Sequence, residues 1–194
     1  MSGASSVEEI LHQAERLEKE YDWLGAADSY EKALKLLSEE DFSKKGETYE
    51  RLGYAFYRAA FQAESNDEFK QRLRQAIEDY EKAKEFYQRL NDPAKTGRIL
   101  RCDAMNAYMG YWLASEASEK KRLLGECWRL TQEALKASKE CVEAKEYGET
   151  FNLLSVSALL AFCYEGIIRL ERNSSKKWRI TERSESSCSP PLTS

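Results

Sequence analysis

The side chains able to do chemistry are few and widely spaced. His12 is the sole histidine. It closes Glu9-Ile-Leu-His12, an E-x-x-H that on a helix sets carboxylate and imidazole one turn apart, the spacing used in di-iron bundles. Such a centre takes a second E-x-x-H, and the chain has no other histidine. The bland reading, a surface or partly buried histidine near a helix start, therefore wins, and a multi-histidine metal site is excluded with it. Cys102, Cys127, Cys141, Cys163 and Cys188 are odd in number and form no C-x-x-C pair, so buried reduced thiols fit better than zinc or a disulfide framework. The carboxylate pairs Glu39 with Glu40 and Glu78 with Asp79 could do acid–base work only inside a pocket. Glu78 and Lys82, one turn apart, read instead as helix-stabilising surface charge. No glycine cluster offers a phosphate cradle. The sequence predicts no enzyme, no metal and no cofactor.

The elements that would position any site are helices. Of 194 residues, 42% are hydrophobic and 33% charged, a balance that favours one soluble, core-bearing domain over disorder. Only Pro93 interrupts the first 189 residues, no segment alternates with period two, and strong helix formers dominate. Ser5-x-x-Glu8 and Ser65-x-x-Glu68 read as capping boxes, Asp22 as a cap for a helix from Trp23, and Asp92-Pro93 as a cap followed by proline at the first helical position. These signals predict helices at about 6–20, 23–38, 43–64, 67–90, 93–115, 118–145 and 147–171. Short connections make them antiparallel hairpins. From Asn173 the chain turns Ser-rich and net basic, ends near Pro190-Pro191 and reads as a disordered tail (173–194) after a domain of residues 1–172. With a basic tail on an acidic body, and signs mixed at every turn, nucleic acid is not an expected partner. MSGASSVEEI lacks a basic segment leading into an apolar run, which predicts a cytoplasmic protein. Phe151 to Ile168 approaches the length of a membrane span, but Asn152 and Glu165 favour a buried helix.

Self-similarity sharpens this. GAADSYEKALKLL at 25–37 and RQAIEDYEKAKEFY at 74–87 share A-x-x-x-Y-E-K-A. Ala26 and Ala33 lie seven apart on one face with Tyr30 between them, as do Ala76 and Ala83 with Tyr80, so a neighbouring helix can approach closely while the ring fills the gap. The pattern resembles the second helix of a tetratricopeptide repeat. Residues 7–40 fit one such unit, with Ala14 and Leu17 on its first helix and Trp23 opening its second. Tyr49, Leu52, Gly53 and Phe56 are similar to the family's W-x-x-L-G-x-x-Y with tyrosine in place of tryptophan. Between Gly53 and Ala76 the chain carries 11 residues more than the family pattern, and the third hairpin keeps only Ala134 clearly.

What the resemblance implies is an all-α, right-handed solenoid of antiparallel hairpins with lengthened helices, acting as a protein–protein scaffold or adaptor. The first helix of each hairpin would line a concave face. Laid on this chain, the groove positions are Glu50, Tyr54, Tyr57 and Arg58 in the second hairpin, and Arg98, Arg101, Met105, Tyr108 and Met109 in the third, with Trp112 one turn on. Tyr54, Tyr57 and Trp112 would anchor an extended or helical peptide, and Arg58, Arg98 and Arg101 would orient its acidic group. The competing expectation is that the rings and methionines are core and the arginines surface solubilisers. The apolar helix at 151–168 has no second helix to cover it. The inner wall of the preceding hairpin, a second copy in a homodimer, or a continued array in a longer parent protein could do so. The rival function is a regulatory or sensor segment of a larger signalling protein, a nucleotide cyclase or kinase.

Overall fold

The computed structural model describes residues 6–141, with side chains to residue 137. The expected helix at 147–171, its role in a homodimer and the tail from 173 lie outside the described residues. Among the described residues six α-helices follow in order: α1 (Val7–Lys19), α2 (Trp23–Leu36), α3 (Phe42–Ala60), α4 (Asn66–Arg89), α5 (Thr96–Leu113) and α6 (Ala117–Cys141), with a 3-10 turn, Pro93–Lys95, leading into α5. Among the described residues there is no strand. Each helix packs against the ones before and after it in the chain.

The starts of the helices follow from short-range capping chemistry. Asp22 accepts from the Gly25 N–H, Asp41 from Lys44, Ser65 from Glu68 and Asp92 from Ala94. Each supplies an acceptor to an amide that the helix itself leaves orphaned. The first box is Ser6 with Glu9, one residue later than expected. Both registers satisfy S-x-x-E, and the choice of Ser6 leaves Glu8 free to reach Lys44 at 2.6 Å. Two turns follow one design. Tyr21 (φ 63°) after α1 and Asn91 (φ 49°) after α4 step into the left-handed region, and each is followed by an aspartate: Asp22 caps α2, and Asp92 caps the 3-10 turn, so that α5 starts at Thr96 and not at Pro93 as expected.

Numbers across the contacts fix the topology. Gly46 meets the Tyr87 ring and Gly53 the Tyr80 ring, so α3 and α4 run antiparallel in register, with Ala60 and Leu73 sharing the same core cluster one further heptad along. A Cβ on Gly46 would stand 2.7 Å from the Tyr87 ring, and one on Gly53 would stand 2.9 Å from the Tyr80 ring and 3.1 Å from the Ala76 carbonyl oxygen. Small residues at heptad spacing on α3 thus form notches for the rings of α4. Burying each ring contributes roughly 1.5–3 kcal/mol. The 11 extra residues between Gly53 and Ala76 are taken up by extending both helices beyond this crossing, and the contact between the repeat positions survives.

Parallel pairing recurs two helices apart. Glu8 binds Lys44 and Glu18 binds Arg51 between α1 and α3, while Glu50 binds Arg101 and Tyr57 meets Tyr108 between α3 and α5. The odd-numbered helices therefore lie side by side, and α2 with α4 flanks a cleft above α3. In the core, Ala14, Ala26, Tyr30, Leu52 and Ala55 hold the first hairpin on α3, and Tyr80, Ala83, Tyr87, Cys102 and Met109 hold α4 on α5. The buried thiols expected at Cys102 and Cys127 are present, and burial pushes the Cys102 thiol pKa up. No helix of the described residues is long and apolar enough to cross a membrane.

Candidate functional site

The face formed by α1, α3 and α5 carries the expected groove positions, and they divide into three groups. The first is turned inward, onto Glu50. Arg101 is 8% exposed, and its Nε donates to Glu50 Oε1 at 2.8 Å, with Nη2 on the same oxygen. Arg98 reaches Glu50 Oε2 at 3.5 Å and the Tyr87 hydroxyl at 3.0 Å, and Tyr87 donates to Glu50 at 2.7 Å. Burial works against the ionised Glu50 carboxylate, but Arg101, Arg98 and the Tyr87 hydroxyl together outweigh it and hold its pKa below the ordinary value. Two of the three arginines expected to orient a partner are thus engaged by the protein's own carboxylate. The spacing of these residues gave no sign of it, because Glu50 itself was read as a groove position.

The second group is core. Met109 is fully buried among Tyr80, Tyr87 and Cys102, Met105 joins the same cluster, and Tyr108 packs with Ala104, Cys127 and Leu130. Their helical spacing marked them equally well as groove or interior, and the arrival of α4 and α6 on either side of α5 decides for the interior.

The third group remains at the surface. Tyr54, Tyr57, Arg58 and Trp112 are half-buried. They belong to a row of ring contacts at the end of the hairpins where α1 turns into α2, α3 into α4 and α5 into α6. Trp23 meets Tyr54 at 5.7 Å, Tyr54 meets Tyr57 at 6.2 Å, Tyr57 meets Phe61 at 5.3 Å and Phe61 meets Trp112 at 5.7 Å, mostly edge to face. Such geometry sets a ring edge on the negative face of its neighbour. Tyr21, in its left-handed conformation, extends the row beyond Trp23 at 6.2 Å and is largely exposed. Phe61, at 51% exposure, occupies the middle. The buried indole N–H of Trp112 finds no acceptor. Sequence reading missed Tyr21, Phe61 and Phe69 as members, although Phe61 lies one turn beyond Tyr57 on the same face.

Arg58 crosses this row. Its guanidinium stands 4.5 Å over the Trp23 ring and donates to the Tyr54 hydroxyl at 2.9 Å. Of the four basic side chains on α3, Lys44, Lys45 and Arg51 each face a carboxylate, on Glu8, Glu39 and Glu18. Arg58 alone of these four is held by rings and a hydroxyl, so its charge is oriented but not neutralised.

The other chemical candidates disperse. His12 is exposed on α1, and Glu9 is occupied by the Ser6 amide. Among the described residues no three His, Cys, Asp or Glu side chains gather as a metal site. No protein-family model matches the chain, and no curated protein matches it.

Proposed function

We propose that the protein is a tetratricopeptide-like array of helical hairpins that works as a protein–protein interaction module. It would hold a peptide or helix of a partner across the α1, α3 and α5 face, with an acidic group on Arg58 and apolar side chains against Phe61, Tyr57 and Trp112. The observation that carries this reading is Arg58 fixed by Trp23 and Tyr54, with no carboxylate paired to it among the described residues. A pre-oriented guanidinium loses little entropy on binding a carboxylate, and aromatic flanks exclude water from the pair. The sequential packing of the helices and the ring-in-notch contacts at Gly46 and Gly53 support the array reading.

Selection from a random displayed-peptide library on the full chain tests it. Enriched peptides should pair Asp or Glu with a neighbouring apolar residue. They should lose about tenfold or more in affinity with Arg58→Glu or Phe61→Ala, and keep it with Arg74→Glu on the exposed side of α4. Failure to enrich such peptides, or binding indifferent to both substitutions, overturns the assignment of this face.

A further inference from the structure

A second surface lies on α2, α3 and α4, sharing no residue with the aromatic row. It is a cleft of about 260 Å3 with Asp79 in its wall. Asp79 is 1% exposed, yet its partners are poor: Gln75 at 3.4 Å and the ammonium of Lys82 at 3.3 Å, whose side chain is 45% exposed. A buried carboxylate ordinarily requires close, saturating donors. Burial raises the Asp79 pKa, and Lys82 and Gln75 do not cancel the effect.

The packing does not demand an acid here. In the repeated A-x-x-x-Y-E-K-A unit, Asp79 stands where α2 has Ser29. Ser29 is equally buried and satisfies itself by donating to the Gly25 carbonyl oxygen at 3.0 Å. A carboxylate has no proton to give its own helix, so Asp79 keeps acceptor capacity toward the cleft. Glu31 adds a second carboxylate at the rim and the exposed Lys35 a second ammonium, and Leu34, Leu52 and Tyr49 provide walls. The Tyr49 ring stacks on Phe86 and already has the Lys82 ammonium 5.3 Å from its centre, which shows that a cation is accommodated there.

We propose that this cleft receives the guanidinium of an arginine side chain from a basic partner segment, with Asp79 as counter-ion and Tyr49, Leu34 and Leu52 covering the aliphatic stem. The planar fork can donate two hydrogen bonds to one carboxylate and can lie against the tyrosine ring, neither of which the Lys82 ammonium does as well. Lys82 is the competitor that arginine displaces.

The probe is the capped tripeptide Gly-Arg-Gly, titrated into the full chain and followed by amide shifts in 1H–15N spectra. Saturable shifts are expected at Leu34, Tyr49, Gln75 and Lys82. The citrulline counterpart, of the same shape and uncharged, should bind about tenfold more weakly. Asp79→Ser, which installs the residue that packs at this position in α2, should weaken the arginine peptide by a similar factor while the chain stays folded. Lys82→Met removes the competing ammonium and should tighten binding about threefold. Equal binding of arginine and citrulline, shifts that never saturate, or a Lys82→Met variant that binds no better each overturns the proposal. Should Asp79→Ser fail to fold, the citrulline and Lys82→Met arms still decide it.

Discussion

Glu50 and Asp79 are both buried carboxylates, 6% and 1% exposed, on consecutive helices, and their surroundings treat them in opposite ways. Glu50 lies where α3, α4 and α5 meet, and two arginines and a tyrosine hydroxyl converge on it. Asp79 lies where α2, α3 and α4 meet, with one half-exposed lysine and a glutamine at the limit of hydrogen-bond length. One pKa is lowered and the other raised. Burial alone does not set the ionisation of a carboxylate; the count and closeness of its donors do. The first hairpin shows the Glu50 solution again, since Glu18 accepts from the Tyr30 hydroxyl at 3.0 Å and binds Arg51. Both clusters join a glutamate of one odd helix to a tyrosine of the next helix and an arginine of the helix after it. Each therefore ties one hairpin to its successor.

The strongest way to break this contrast is to remove Glu50. Glu50→Ala removes the carboxylate on which Arg101, Arg98 and the Tyr87 hydroxyl converge and should cost about 3–5 kcal/mol in urea unfolding. A loss below about 1 kcal/mol would mean the guanidinium escapes to water. Next in size is Gly46→Ala, whose added methyl pushes on the Tyr87 ring that carries the Glu50 hydrogen bond. A loss of about 1–3 kcal/mol is expected, with the Glu50 contacts disturbed in a crystal structure of the variant.

The pH dependence separates the two carboxylates by sign. A group whose folded pKa is depressed contributes stability above its unfolded pKa and loses it as pH falls through the folded value, so the Glu50 contribution should vanish at the acid end of the melting profile and be missing in Glu50→Gln. Asp79 has a raised folded pKa, so its ionisation penalises folding, increasingly as pH climbs from the unfolded toward the folded value. Asp79→Ser should therefore hold or raise the melting temperature at neutral pH, since the lost Lys82 pairing is worth at most ~1 kcal/mol, and should change little at pH below the unfolded pKa of an aspartate. A lower melting temperature at neutral pH would place Asp79 with Glu50 as a structural ion. Arg58→Glu should cost only about 0.5–1 kcal/mol, from the lost contact with Trp23, against a large effect on partner binding. A stability loss as large as that of Glu50→Ala would instead make Arg58 a structural residue.

Much of the secondary structure was legible in local chemistry. Asp22, Ser65 and Asp92 announced three helix starts, and the Ala-ring-Ala spacing announced which faces of α2 and α4 turn inward. The candidate site was legible only in outline. Tyr54, Tyr57, Arg58 and Trp112 emerge at the surface, whereas Arg98 and Arg101 on the same helical pattern turn to Glu50, and Met105, Tyr108 and Met109 enter the core. A pattern in one helix specifies a face, not what covers it. Arg58 directly follows Tyr57 and Arg101 lies one helical turn before Met105, so both sit on helices that carry aromatic or methionine side chains, and nothing local tells them apart. The difference is the glutamate that a helix 51 residues earlier in the chain places beside one of them.

By itself the sequence determined the helices, their capping and the small-and-ring faces, because those follow from interactions among residues three or four apart. The tertiary structure alone decided which charges are neutralised inside and which are left to the surface. Ion pairing at Glu18 and Glu50 depends on arginines 33 and 51 residues away in the chain meeting the carboxylates at hydrogen-bond distance, and only the packing of one hairpin on the next brings them to that distance.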